Sequence, residues 1–258
     1  MLKFLLSVLL SSVMFQAIAE QQNVKRFALV IGNKNYASVP LKNALNDANA
    51  MANNLSELGF AVSVLKDGSL TELTNQVQQF YAEVASDLHT KKLAVFYYAG
   101  HALAINHQNY LVPLGMEFDD YSQFLTSLYK IETVFKHIGQ SQGLQSIIIL
   151  DACRNNPFED VFSHENKNMA NGLAPIKAPF NTMIAFATEP GGVASDGNRK
   201  NGVYTKHLLR HMTKQISVEE VFKKVRNGVA KETRNKQIPW EHSSLLNEVF
   251  FSPPKNRG

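Results

Sequence analysis

The side chains best suited to chemistry belong to the only cysteine, Cys153, and to His101, which precedes it by 52 residues. A cysteine acts as a nucleophile in its thiolate form, and an imidazole close to it in space can take up the proton. Both residues follow an apolar run closely, as residues placed just past the end of a strand do. The pair therefore indicates nucleophilic chemistry at a Cys–His dyad.

A buried structural thiol is the alternative interpretation of a lone cysteine. Its polar neighbours, Asp151 before it and Arg154 after it, favour a loop over the core. One cysteine also excludes an internal disulfide framework, a CxxC redox pair and a multi-cysteine metal site. His207 and His211 have helical ligand spacing, but no third ligand accompanies them, so we predict no metal site.

Short apolar runs alternate with amphipathic segments along the chain. The runs predict strands at residues 26–31, 60–65, 93–99, 146–150 and 182–188, and the segments predict helices at 41–58, 70–88 and 121–137 and two more between 208 and 229. Continuous apolar strands separated by helices are typical of an α/β fold with a mostly parallel sheet covered on both faces. Sites in such sheets form beyond the carboxyl ends of the strands. Residues 155–181 contain many polar residues together with three Pro and one Gly, which predicts a long surface loop.

The N-terminal residues have the features of an export signal. Lys3 precedes an apolar run, and the small residues Ala17 and Ala19 suit cleavage before Glu20. An uncleaved anchor is the alternative, although the run is short for a membrane span. We therefore predict a signal peptide at 1–19, a linker at 20–25, one domain at 26–251 and a tail at 252–258. This organisation implies a periplasmic or secreted protein, with no membrane span in the mature chain.

The composition, 45% hydrophobic and 19% charged, is that of a packed globular protein rather than a disordered one. The formal net charge is +4, and residues 199–236 alone hold eleven Lys or Arg against three Glu. A basic stretch can indicate nucleic-acid binding. Here apolar residues recur between the charges at helical spacing, which favours solvated helix faces, and we predict no nucleic-acid partner.

Several segments, taken in order, resemble the bacterial caspase-like cysteine peptidases, which are related to metacaspases and caspases. The resemblance covers about residues 26–250, and the segments that carry it are ALVIGNKNY (28–36), LKNALNDA (41–48), LGF (58–60), FYYAGHA (96–102), NYLVP (109–113), ILDACRNNP (149–157), ATEPG (187–191), NGVYT (201–205) and QIPW (237–240). The spacing of His101 and Cys153 also agrees with the caspase pattern. The resemblance implies a caspase-like three-layer sandwich with a mostly parallel six-stranded sheet and helices on both faces.

The resemblance also implies roles for individual residues. Cys153 matches the family nucleophile, and His101 matches the general base and acid. The family's oxyanion donors are the backbone N–H of the cysteine and that of a glycine near the histidine. In this sequence Ala102 follows His101 where relatives usually carry glycine, so its Cβ could crowd the substrate.

Two aspartates that match positions of the family imply a substrate preference. Asp47 and Asp151 match aspartates that form an acidic pocket in metacaspase-like relatives. A carboxylate pair binds Arg or Lys and repels Asp, which predicts cleavage after basic residues. A solvated helix position for Asp47 and a strand cap for Asp151 are the structural alternatives.

The predicted function is thus that of a cysteine endopeptidase acting on polypeptides after Arg or Lys, without a required cofactor. Calcium, bound through Asp119 and Asp120, is an open alternative. A catalytically weak or inactive regulatory domain is the alternative function, and thiol-dependent hydrolysis of cell-wall peptides is a third. Self-cleavage after Lys167 or Lys177 is a further expectation from the composition of the long loop. The oligomeric state is not predicted.

Overall fold

The computed structural model describes residues 24–152, 169–170, 172–190, 192, 194 and 200–253. Within them the strands are β1 (Lys25–Gly32), β2 (Ala61–Lys66), β3 (Lys92–Ala99), β4 (Ala102–Ile105), β5 (Gln108–Leu111), β6 (Tyr129–Lys130), β7 (Leu144–Asp151), β8 (Met169–Ala170), β9 (Thr182–Phe186) and β10 (Trp240–Ser243). The helices are α1 (Ala44–Glu57), α2 (Leu70–Ser86), α3 (Tyr121–Thr126), α4 (Glu132–Gly139), α5 (Val203–Met212) and α6 (Val218–Thr233).

A six-stranded sheet in the order β10-β9-β7-β3-β1-β2 forms the centre of the fold. Its first five strands along the chain, β1, β2, β3, β7 and β9, are parallel, and β10 pairs antiparallel with β9 at one edge. Strands β1, β3 and β7 are buried along nearly their whole length. Both faces of a central parallel strand are covered, which explains why the apolar runs of the sequence are uninterrupted.

Helices cover the two faces of this sheet and enclose two separate apolar cores. Helices α1, α5 and α6 pack on one face, where the buried side chains include Met51, Tyr204 and Phe222. Helices α2 and α4 pack on the other, with Phe80 and Ile138 among the buried side chains. The result is a three-layer α/β sandwich, which confirms the predicted fold class.

A second, four-stranded sheet in the order β6-β5-β4-β8 was not predicted from the sequence. Its strand β6 interrupts the helix expected at 121–137, so that segment forms α3 and α4 with a strand between them. Pairing of Tyr129 with Leu111 and of Lys130 with Tyr110 accounts for the break, because the backbone bonds of β6 go to β5.

Of the expected surface loop at 155–181, residues 155–168, which include Lys167, and residue 171 lie outside the described residues, and the remainder is partly packed. Strand β8 pairs with β4, and residues 172–181 lie against the core with Leu173 and Ala178 buried. The side chain of Asn109 holds this segment by accepting from the backbone N–H of Ala174 and donating to its carbonyl oxygen, each at 2.8 Å. This segment is therefore packed structure at its C-terminal end, although its polar composition predicts a loop.

Candidate active site

The carboxyl ends of β3 and β7 lie side by side and position the predicted dyad. Ala99 pairs with Asp151 as the last residue of each strand, and His101 is the second residue beyond β3. Cys153, the second residue beyond β7 along the chain, lies outside the described residues. Parallel neighbours that end at the same level bring the segments following them to one edge of the sheet.

The His101 imidazole is held through one of its two ring nitrogens. Nε2 lies 2.8 Å from the carbonyl oxygen of Val39, and the side chain is 2% exposed. A carbonyl oxygen only accepts hydrogen bonds, so Nε2 carries the proton in the neutral ring. Nδ1 is then the basic nitrogen, and it is the one that can take a proton from a thiol.

Two tyrosines fix the backbone of His101. The hydroxyl of Tyr36 accepts from the His101 N–H at 3.0 Å and donates to the Val112 carbonyl oxygen at 3.0 Å, while the Tyr98 hydroxyl donates to the His101 carbonyl oxygen at 2.8 Å. The Tyr36 ring also packs on the imidazole, with 4.5 Å between the ring centroids. Burial raises the pKa of Tyr36 to about 12, so it stays protonated and keeps its donor at neutral pH.

The tyrosine hydroxyls also explain the glycine before the histidine. A Cβ on Gly100 would lie 2.5 Å from the Tyr98 hydroxyl and 2.8 Å from the Tyr36 hydroxyl. These distances are shorter than any ordinary contact, so a larger residue would displace the groups that hold His101. Gly100 therefore serves close packing around the histidine.

Ala102, the predicted oxyanion donor, starts β4 with its side chain buried in the apolar core at 1% exposure. Its φ is not positive, so nothing in the backbone at this position requires glycine. Val112 donates its N–H to the His101 carbonyl oxygen, and Ala102 and Leu111 form the next pair of that ladder. Hydrogen-bonded and non-hydrogen-bonded pairs alternate between antiparallel strands, so the Ala102 N–H points away from β5.

The two predicted pocket residues, Asp47 and Asp151, come together around Gly202. A Cβ at Gly202 would lie 3.1 Å from Oδ2 of Asp47 and 3.8 Å from Oδ2 of Asp151. Asp47 is in the first turn of α1, Asp151 ends β7, and Gly202 precedes α5. Both carboxylates are buried, at 2% and 6% exposure, so Asp47 does not have the solvated helix position of its structural alternative, whereas Asp151 does end a strand.

Hydroxyl and amide donors orient these carboxylates. Asp47 accepts from the Gly202 N–H at 3.0 Å and from Nδ2 of Asn201 at 2.8 Å. Asp151 accepts from the Thr205 hydroxyl at 2.6 Å. The Tyr97 hydroxyl lies 2.6 Å from the Thr205 hydroxyl and 3.4 Å from Oδ2 of Asp151. Burial raises the pKa of Tyr97 well above its ordinary value, and the negative charges of Asp151 and Asp47 raise it further. Their effect on one phenol is a second sign that the two carboxylates share a small volume.

Sequence reasoning did not single out the groups that orient the site. Val39 acts through its backbone carbonyl, which no side-chain pattern reveals. Tyr36 belongs to the segment GNKNY and Thr205 to NGVYT, so both lie in motifs of the resemblance, but nothing in the sequence assigns them a contact.

In the part of the chain that the structure describes, no three His, Cys, Asp or Glu side chains are grouped as metal ligands would be. Asp120 accepts from the Gln123 N–H at the start of α3, a helix-capping contact, and Asp119 is exposed beside it. Among the described helices, none has the length and apolarity that a membrane crossing needs.

Comparison with known proteins agrees with this architecture. A search of curated protein sequences gave no significant match. Among solved structures, the fold is similar to that of caspase-1 from Spodoptera frugiperda, with a TM-score of 0.61 at 15% identity over 91% of this chain and 92% of that one. The model of the caspase domain, peptidase family C14, matches residues 25–251. The chain therefore belongs to the caspase domain family of cysteine peptidases.

Proposed function

We propose that the protein is an active cysteine endopeptidase in which Cys153 and His101 form the catalytic dyad. His101 takes the proton of the Cys153 thiol, and the thiolate attacks the carbonyl carbon of the scissile peptide bond. His101 then gives the proton to the leaving amine as the C–N bond breaks, and water hydrolyses the thioester. The backbone N–H groups of Ala102 and Cys153 would stabilise the oxyanion in both halves of the reaction.

The observation that carries this proposal is the fixed orientation of His101 at the carboxyl ends of β3 and β7, which lie side by side. Its Nε2 is anchored on the Val39 carbonyl oxygen, which leaves Nδ1 as the base, and its backbone is held by Tyr36. Cys153 follows Asp151 by two residues in the chain. Asp151 pairs with Ala99, the last residue of β3, the strand that leads to His101. The contact that the proposal requires is the one between the thiol of Cys153 and Nδ1 of His101.

We propose further that the residue before the scissile bond is Arg or Lys. Asp47 and Asp151 direct carboxylate oxygens toward one point beside Gly202, next to the strand end that Cys153 follows. A guanidinium or ammonium group placed there gains charge-assisted hydrogen bonds, whereas an aspartate side chain is repelled. The same pocket supports the metacaspase-like preference over the caspase-like one.

The burial of the Ala102 side chain supports an active enzyme over an inactive regulatory domain. Its methyl group lies in the apolar core, so it does not compete with the substrate for space. The backbone N–H, which is the group an oxyanion needs, is retained in alanine as in glycine.

A peptidase assay on purified protein tests the proposal. Peptides with a single Arg, Lys or Asp before a fluorogenic leaving group are compared for the wild type, Cys153→Ala, His101→Ala and the exposed control His107→Ala. We expect cleavage after Arg and Lys by the wild type and the control, and none by the two dyad variants. Equal cleavage after Asp would contradict the pocket, and undiminished activity of Cys153→Ala would contradict the dyad.

Two accessory proposals accompany this function. We expect the protein to work without a cofactor, so that a chelator leaves its activity unchanged; a loss restored by calcium would instead support a site at Asp119 and Asp120. The segment 1–19 lies outside the described residues, and we propose export to the periplasm or the medium after cleavage before Glu20. N-terminal sequencing of the cell-extracted protein tests the second proposal.

A further inference from the structure

We propose that an apolar cleft beside His101 binds an apolar side chain of the substrate residue that follows the cleaved bond. The inference rests on the proposed peptidase function and extends it from the acidic pocket to the opposite side of the dyad. It assigns the enzyme a second specificity site, for the half of the substrate that leaves first.

The cleft lies between the loop that follows β1 and the segment that follows β5. Its cavity volume is about 160 Å³, below the range of about 300–1,000 Å³ usual for drug-sized ligands, so its size suits a single side chain. His101 forms part of its wall, so the cleft is continuous with the catalytic centre. Its other lining residues come from positions 36–39 and 112–118.

The lining is apolar and carries no charged side chain of Asp, Glu, Lys or Arg. Leu114, Met116 and Phe118 line it from the segment after β5, and Val39, which lines it from the loop after β1, is 44% exposed. An exposed apolar group at the mouth of an apolar cleft gains free energy when a hydrocarbon side chain covers it. A charged side chain would lose water there without gaining a partner. The cleft therefore differs in kind from the acidic pocket around Gly202.

The order of strands in the sheet sets the direction of the substrate. Strand β3, which leads to His101, lies between β7 and β1. In the acidic pocket, Asp151 ends β7 on one side of β3 and Asp47 is supplied by α1, whereas the cleft residues 36–39 follow β1 on the other side of β3. A polypeptide with its basic side chain in the acidic pocket and its scissile bond at His101 continues toward β1 and reaches the cleft.

The chemistry of the dyad requires the same arrangement. The proton that His101 donates goes to the amine of the residue that follows the broken bond, so this residue must lie against the imidazole. Because His101 and Met116 line the same cleft, the side chain of that residue can enter it. The cleft would thus recognise the leaving half of the substrate during acylation.

Peptides that span the cleavage site test this inference. A panel with Arg before the bond and Leu, Phe, Gly, Asp or Arg after it is digested by the wild type, and kcat/KM is measured for each peptide. We expect Leu and Phe to exceed Gly by roughly tenfold or more, the usual gain from burying such a side chain, and Asp to be poorest.

Two variants place a carboxylate in the cleft, Met116→Glu at its wall and Ser38→Glu at its exposed rim. Met116→Glu is expected to shift the ratio of Arg to Leu after the bond in favour of Arg by at least about tenfold, and Ser38→Glu by about two- to fivefold, because an exposed ion pair is weakened by solvent. The matched control is Glu117→Gln, because Glu117 is exposed and adjacent in sequence but does not line the cleft. Its ratio should equal that of the wild type.

The outcomes separate this inference from the proposal on which it rests. Cleavage of every peptide with a Leu-to-Gly ratio near one would overturn the cleft inference and leave the peptidase proposal intact. Cleavage of none would overturn the peptidase proposal and this inference with it. If Met116→Glu does not fold, Ser38→Glu and the wild-type panel still decide the question.

Discussion

Replacing Asp151 with asparagine should separate the charge of the acidic pocket from its shape. Asn has the same size, and its amide oxygen can accept the hydrogen bond that Thr205 now donates to Oδ2 of Asp151 at 2.6 Å. The hydrogen bond with Thr205 can therefore be kept while one of the two negative charges is lost. At Asp47 an amide nitrogen would face a donor, since the oxygens of Asp47 accept from both Gly202 and Asn201.

The size of the effect follows from the bond that is removed. A hydrogen bond to a charged partner contributes about 1.5–3 kcal/mol, and about 1.4 kcal/mol corresponds to a factor of ten. For Asp151→Asn we therefore expect kcat/KM on an Arg substrate to fall by about 10- to 150-fold. Citrulline has the shape of Arg without its charge, so a citrulline peptide should change little.

The assay is the ratio of kcat/KM for Arg and citrulline peptides, measured in the wild type, in Asp151→Asn and in the control Glu57→Gln. Glu57 is exposed at the end of α1, and its replacement changes the net charge equally. Denaturant unfolding checks that Asp151→Asn remains folded. An Arg-to-citrulline ratio that stays at the wild-type value in folded Asp151→Asn would refute the assignment of this carboxylate to substrate binding.

Three further predictions concern Ala102, Tyr36 and the peptide bond after Lys177. Ala102→Gly should change kcat/KM by less than about threefold, because the N–H is kept and the methyl group is buried; a rise of tenfold would show that the methyl group obstructs catalysis. Burial raises the pKa of Tyr36 from 10.0 to about 12, so the contribution of its protonated form to stability is present below pH 10 and lost as the pH rises to 12. The free energy of unfolding in urea should therefore fall less steeply between pH 10 and 12 in Tyr36→Phe than in the wild type. An equal pH dependence in the two proteins would contradict this. Self-cleavage should not occur after Lys177 in the folded protein, because Ala178 is buried beside it; mass spectrometry of aged protein would contradict this if it showed a cut there.

The central strands could be predicted from the sequence because their apolar runs are continuous. β1, β3 and β7 are covered on both faces, so the pattern 93–99 alone identifies a buried strand to within one residue of its observed bounds. The smaller sheet could not be predicted in this way. β4 has four residues and β8 two, and their partners are set by contacts between segments far apart in the chain. β10 is largely polar and partly exposed, as edge strands often are.

The candidate site likewise contains residues that the sequence predicts and contacts that only the structure shows. His101, Asp47 and Asp151 are predicted from residue type and from the caspase-like resemblance; the structure places His101 and Asp151 at the carboxyl ends of neighbouring strands, and Asp47 of α1 lies with Asp151 beside Gly202. The groups that orient them act through backbone atoms or hydroxyls, as the Val39 carbonyl oxygen does for the imidazole. Such contacts depend on the fold, so a single sequence carries no sign of them. The apolar cleft was missed for the same reason, because its walls come from two separate segments.

Covalent labelling of the purified protein tests the dyad most directly. The protein is incubated with a peptidyl Arg-ketone that alkylates an activated thiol, and the adduct is located by peptide mass mapping. The account predicts one adduct, on Cys153, which forms much more slowly in His101→Ala and is suppressed by an Arg peptide. No adduct on Cys153, or labelling of His101→Ala at the wild-type rate, would contradict it.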